Sequence, residues 1–216
     1  MTDAETCPRC LKPLPLCVCD FAEHFDNRIE VVVLQHPQEQ DKLLGTARLA
    51  LQHLSRGALR IGLSWPSLPK AVEREVDPKR WAILYLGPAD AVLPPNEEVV
   101  LFEGNGSPVE DQRRAKKAIE GIIVLDGSWS QAKTLWWRNP WVLKARRAVI
   151  APKEASLYGK LRKEPRREGL STLEAIAFLL SRLEGRPEIE KGMLSSFRRM
   201  LQRYRDSLKA EANAPG

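Results

Sequence analysis

The run Ile122-Ile123-Val124-Leu125, followed directly by Asp126-Gly127-Ser128-Trp129-Ser130-Gln131-Ala132, decides how this chain folds. Consecutive apolar residues bounded by a turn signal read as a buried strand. Gly127 permits a sharp turn, and Ser128 is suited to cap the helix behind it. In open α/β sheets, ligands sit just beyond the carboxyl ends of the strands. Asp126 therefore falls at the expected crevice, beside a hydroxyl and an indole. The bland alternative is a turn in which Asp126 only bonds backbone amides.

Working outward, β-branched or apolar runs predict further strands at Ile29–Leu34, Leu59–Leu63, Trp81–Leu86, Val99–Phe102 and Ala148–Ile150. Helical spacing predicts helices over Leu43–Leu54, Asp111–Glu120 and Ser128–Arg138. Ser171-Thr172-Leu173-Glu174 is a capping box opening a helix with Leu173, Ile176, Ala177, Leu180 and Leu183 on one face. A last helix spans Pro187–Leu208, with Met193, Phe197, Leu201, Tyr204 and Leu208 inward, and the residues beyond Lys209 are expected to fray. Strands alternate with helices, so the class is α/β with a mainly parallel sheet.

The chain has 216 residues, enough for one sizeable core with a small appendage. It carries a formal charge of +6, and the excess is concentrated. Between Lys144 and Arg167 there are nine Lys/Arg and two Asp/Glu, while the rest of the chain is close to neutral. Such a segment suits phosphate groups, hence nucleic acid, although a solvated basic loop has the same composition. No apolar run approaches the roughly 20 residues of a membrane helix. The opening Met1-Thr2-Asp3-Ala4-Glu5 is polar and acidic, unlike a signal peptide. The expectation is a cytoplasmic protein that is not bound to a membrane.

All four cysteines lie close together, as Cys7-Pro-Arg-Cys10 and Cys17-Val-Cys19. C-x2-C is a usual zinc half-site, and four thiolates close a tetrahedral ion. C-x-C is tighter than the common second half. In a reducing compartment the grouping favours metal over disulfide, with a redox pair or free thiols as alternatives. A site filled by four sulfurs has no open position, so the zinc is structural. Residues 1–25 read as a four-cysteine zinc-binding module and residues 26–210 as the main domain.

Six local motifs stand in one order. They are the cysteine cluster, Leu34-Gln35-His36-Pro37-Gln38-Glu39 with Thr46-Ala47-Arg48-Leu49, Leu86-Gly87-Pro88, the Asp126–Ala132 stretch, Ser156-Leu157-Tyr158-Gly159-Lys160-Leu161-Arg162-Lys163, and Leu170-Ser171-Thr172-Leu173-Glu174-Ala175. In these the chain resembles the DTW-domain family, the tRNA-uridine aminocarboxypropyltransferases, from about Cys7 to Glu184. The family's name motif has Thr where this chain has Ser128, which keeps the hydroxyl. Leu161 takes a position often filled by Ile. The resemblance implies a SPOUT-like α/β core of a kind that can be knotted near the cofactor. It implies S-adenosylmethionine as donor, the 3-amino-3-carboxypropyl chain as transferred group, N3 of a tRNA uridine as acceptor, and methylthioadenosine as co-product. DNA is not an expected partner.

Uridine N3 carries a proton and becomes nucleophilic as that proton leaves, so a carboxylate beside it serves as base. Asp126 is the candidate base, with Ser128 and Trp129 beside it. Trp129 suits stacking on adenine or uracil; otherwise it is a core residue in the first turn of a helix. In the resembled fold, the backbone at Leu86, Gly87, Pro88 and Leu125 holds the adenine edge. Ser171, Thr172 and the amides of that helix start suit the donor's carboxylate. Glu174 suits its ammonium or is simply the capping box. His36 is a candidate donor contact, or it satisfies backbone groups in a Pro-bounded turn. Arg48, Tyr158, Lys160, Arg162, Lys163 and Arg166 are the candidate RNA track. A methyltransferase using the same donor, a non-catalytic zinc-ribbon RNA-binding protein, and ribosomal RNA as acceptor are the rival readings.

Overall fold

Every apolar strand run reappears as a strand of one sheet. The structure, a computed structural model, describes residues 5–85, 94, 97–159, 161 and 169–212. The strands are β1 (Glu30–Gln35), β2 (Gly57–Ile61), β3 (Trp81–Tyr85), β4 (Val99–Phe102), β5 (Gly121–Asp126) and β6 (Arg146–Ile150). Their spatial order is β2-β1-β5-β3-β6-β4. All neighbours are parallel except β4, which runs antiparallel to β6 at one edge. The mainly parallel α/β class is therefore observed.

The period of two along each strand sorts the core into two faces. Val31, Val33, Ala82, Leu84, Ile122 and Val124 face one cluster, while Val32, Leu34, Trp81, Ile83 and Ile123 face another. Both faces are covered, which is why these strands read as continuous apolar runs. The helices are α1 (Ala47–Gln52), α2 (Leu68–Val72), α3 (Gln112–Ala118), α4 (Trp129–Arg138), α5 (Thr172–Glu184) and α6 (Pro187–Ala212). Residues Leu173 to Ser181 of α5 are all buried, because it lies beneath α6 and against α1 and the sheet. The single apolar face expected for α5 is a helix buried all round.

Gly121 shows how tightly the sheet is packed. It pairs with Trp81, and a β-carbon built at Gly121 would lie 2.4 Å from the indole. Trp81 is itself fully buried and has no room to retreat. Gly121→Ala is therefore an overpacking change, expected to cost about 1–3 kcal/mol. Urea unfolding should show a lower midpoint with unchanged slope; an unchanged midpoint would contradict this packing.

Several boundaries differ from the sequence reading. The helix expected over Leu43–Leu54 is only Ala47–Gln52, because residues 42–45 turn first and the Thr46 hydroxyl is taken by the Leu173 amide at 3.2 Å. Helix α2 was not legible; Ser67 caps it and Pro69 lies in its first turn. The last helix runs on to Ala212, with Leu208 exposed at 42% where it was expected inward.

The N-terminal cysteine module packs on α6. The Ser196 hydroxyl donates to the Phe21 carbonyl at 3.0 Å, and Arg199 lies 4.0 Å above the Phe21 ring. Val18 and Phe25 enter the main core. The module thus shares a core with the body across the expected boundary at residue 25. No helix among the described residues is long and apolar enough to cross a membrane.

Candidate active site and cysteine centre

Asp126 ends β5, a central strand flanked by β1 and β3, so its carboxylate emerges at the carboxyl edge of the sheet. It is 7% exposed and held from two sides. The Gln35 amide, its register partner on β1, donates to Oδ2 at 2.7 Å. The Thr172 hydroxyl, at the first turn of α5, donates to Oδ1. The bland alternative, a carboxylate spent on turn amides, is not what is seen. A carboxylate has about four acceptor positions, so two donors leave capacity for a third group. Asp126 also lines a cleft of about 270 Å³, near the lower end of small-molecule sites.

The turn after Asp126 depends on Gly127. A β-carbon there would come within 2.8 Å of Gln131 Cβ and 3.4 Å of His36 Cβ. The Ser128 amide donates to Gln131 Oε1 at 2.6 Å, which opens α4. One face of α4 then forms a wall of the cleft through Trp129, Ala132, Lys133, Trp136 and Trp137. Trp129 is half-buried on this wall rather than in the core. Trp136 is fixed by Tyr85, 5.1 Å away, and by the Arg147 guanidinium, 5.3 Å above its ring. Lys133, Trp136, Trp137 and Tyr85 were missed from sequence. For the three on α4 the signal was the spacing of four, seven and eight residues along one helix face, counted from Trp129. Tyr85, at the end of β3, carried no such signal.

Opposite this wall stands the start of α5. Ser171 and Thr172 line the cleft, as does Leu125 at the end of β5. The capping box is formed: the Glu174 amide donates to the Ser171 hydroxyl at 3.1 Å, and the Ser171 amide to Glu174 Oε2 at 2.7 Å. Glu174 also accepts from the Ser156 hydroxyl at 2.7 Å and the Leu157 amide at 2.6 Å. Its carboxylate is a clamp tying residues 156–157 to α5, and the capping-box alternative for Glu174 is the one formed. The Leu173 amide goes to Thr46. Of the amides from Ser171 to Glu174, Thr172 alone has no partner among the described residues.

The remaining expected residues scatter. His36 accepts the Gln38 amide on Nδ1 at 3.2 Å and caps the short 3-10 turn Pro37–Glu39, which is the backbone role. It adjoins Gly127 without lining the cleft. Arg48 is half-buried on α1, with a buried Nε that has no partner among the described residues. Tyr158 is a correction. It is 2% exposed, donates to the Leu44 carbonyl at 2.6 Å and meets Phe197 edge-on, so it is a core residue and not part of an RNA surface. Within the basic segment, Arg146 pairs with Glu103 at 2.9 Å and Arg147 supports the cleft wall, so both are structural. Leu86, Gly87, Pro88, Lys160, Arg162, Lys163 and Arg166 lie outside the described residues.

The four cysteines converge. Their sulfurs all lie within 4.8 Å of one another, with Cys7 and Cys19 at 4.0 Å. Zinc–sulfur bonds of about 2.3 Å in a tetrahedron place sulfurs about 3.8 Å apart, so the cluster fits that ion. The same spacing is far too long for a disulfide bond. Burial raises the Cys7 thiol, but the amides of Cys10 and Arg9 and the neighbouring thiols outweigh it and bring it down to about 6. Lys12, buried beside the cluster, donates to the Leu43 carbonyl at 2.7 Å and links the module to the body.

Residues 4–205 match the family model of the DTW domain. The chain belongs to the DTW-domain family. Among curated relatives of this DTW-domain protein is tRNA-uridine aminocarboxypropyltransferase 2 of Macaca fascicularis, 29% identical over 198 residues, which are 87% of this chain and 59% of the relative. The protein of the same name from Drosophila melanogaster is 28% identical over 194 residues, covering 87% of this chain and 70% of its own length. The DTW-domain chain thus spans less than two thirds of the macaque relative. No solved structure matches it.

Proposed function

We propose that this protein transfers the 3-amino-3-carboxypropyl group of S-adenosylmethionine to N3 of a uridine in tRNA, on a SPOUT-like core. The observation that carries the reading is the Asp126 carboxylate. It is clamped by Gln35 and Thr172, has acceptor capacity to spare, and lines a cleft walled by indoles. The family membership and the relatives' printed activity support the same reading.

The donor supplies a sulfonium, already an excellent leaving group, so the protein's work is alignment and proton removal. Asp126 accepts the N3 proton of the target uracil. The freed N3 pair bonds to the γ-carbon of the methionine chain while the carbon–sulfur bond breaks. That bonding pair stays on sulfur, and methylthioadenosine leaves. Gln35 and Thr172 keep the carboxylate from rotating away during this step. Trp129 packs its ring against the bound nucleoside, and Ser128 completes the turn that sets it there. Leu125, Ser171 and the Thr172 amide contact the donor, joined by the backbone at 86–88. Lys160, Arg162, Lys163 and Arg166 hold RNA phosphates. N3 is occupied in a paired uridine, so the target base must be unpaired or flipped out.

The four cysteines hold a structural zinc ion, which fixes the N-terminal module against α6 and takes no part in the chemistry. The test is to incubate the protein with unmodified tRNA transcript and S-adenosylmethionine and analyse the digested nucleosides by mass spectrometry. Aminocarboxypropyl-uridine is expected, and fragment mapping then locates it. Unmodified RNA, with RNA still bound tightly, would replace this reading with a binding module.

A further inference from the structure

Trp137 is a large apolar side chain left mostly in solvent, at 70% exposure, yet it lines the cleft. It has no aromatic or cationic partner among the described residues, whereas its neighbour Trp136 is locked between Tyr85 and Arg147. Trp129, Lys133 and Trp137 stand four residues apart on one face of α4. With a rise of 1.5 Å per residue, ring, cation and ring follow one another at about 6 Å intervals. Trp137 is therefore about 12 Å along the helix axis from Trp129, too far to touch a uracil held at Asp126.

We propose that Trp137 and Lys133 form a docking strip for the single-stranded RNA flanking the target uridine. Trp137 stacks on a neighbouring base and Lys133 meets the intervening phosphate. The inference rests on the transfer reading above and adds to it how the acceptor strand is held. Three observations carry it. An exposed indole on the wall of the cleft offers a stacking face that every base fits. The alternation of ring and cation along one helix face matches an alternation of base and phosphate. Lys133 in the cleft lining and the Arg147 guanidinium against Trp136 put positive charge at this wall, which favours a polyanion over an apolar peptide on the strip.

The test uses full-length protein, unmodified tRNA transcript and a short single-stranded oligouridylate, comparing Trp137→Ala, Trp137→Phe and Lys133→Gln with the parent. Trp137 is exposed, so its truncation leaves the fold in place, checked by thermal melting. Trp137→Ala should weaken binding to both RNAs and raise KM for tRNA roughly 10-fold, the scale of one lost base stack. kcat and the affinity for S-adenosylmethionine should stay within about twofold on the same argument. Trp137→Phe should restore most of the loss. Lys133→Gln should reduce the salt slope of RNA binding by about one. Unchanged RNA affinity in Trp137→Ala overturns the proposal, and so does a loss of donor affinity, which would put Trp137 at the donor. If no RNA is modified at all, the oligouridylate arm still reads the strip, so its failure and that of the transfer reading are separable.

Discussion

Asp126→Asn is expected to abolish transfer while leaving the fold and both binding events in place. Asparagine keeps an acceptor for the Thr172 hydroxyl and turns an amide NH2 toward Gln35. The Gln35 amide then needs only a half-turn, because its Oε1 is buried without a partner among the described residues. That turn converts a donor–donor clash into a donor–acceptor bond, so stability should change by no more than about 1 kcal/mol. The lost function is the base. General-base contributions run to roughly 100- to 10,000-fold, and turnover should fall by that much. The check is single-turnover kinetics with saturating donor and tRNA, alongside thermal melting. An Asp126→Asn protein that turns over normally removes the base assignment; one that unfolds makes Asp126 a structural residue.

Loss of the cysteine centre is the second large effect. Purified protein should carry one zinc per chain by elemental analysis, and Cys19→Ser should carry none. Structural zinc sites contribute apparent binding energies on the order of 10 kcal/mol, comparable to the whole stability of a domain. The damage should not stay local. Val18 and Phe25 belong to the main core, Phe21 is held by Arg199, and Lys12 is tied to the Leu43 carbonyl. Chelation is expected to lower the melting temperature by many degrees, and added zinc to restore it. Metal-free protein that melts like the parent would contradict a zinc-dependent fold.

How much of this was legible depended on whether the signal was local. The buried parallel strands announced themselves, because burial on both faces leaves no polar alternation to confuse the pattern. The Asp126 turn and the Ser171 capping box were equally clear, since both are made by neighbours in sequence. What sequence hid was convergence. Gln35 and Thr172 are 91 and 46 residues from Asp126, and only the β1–β5 register and the docking of α5 bring them to one carboxylate. Tyr158 sits in a basic stretch, and that composition suggested a surface; the T-shaped contact with Phe197 is a long-range event that composition cannot carry. Glu174 illustrates the reverse case, where the modest local reading was the informative one. The stripe Trp129, Lys133, Trp137 was visible as spacing all along, but which face of α4 met solvent depended on where the sheet ended.

The central claim is that the γ-carbon, and not the methyl, reaches the nucleophile. The most direct test is to identify the nucleoside released from S-adenosylmethionine during turnover on unmodified tRNA, by chromatography with mass detection. Methylthioadenosine, formed in step with modified uridine, is the expected product. S-adenosylhomocysteine with a methylated base would contradict the account and make this protein a methyltransferase built on the same cleft.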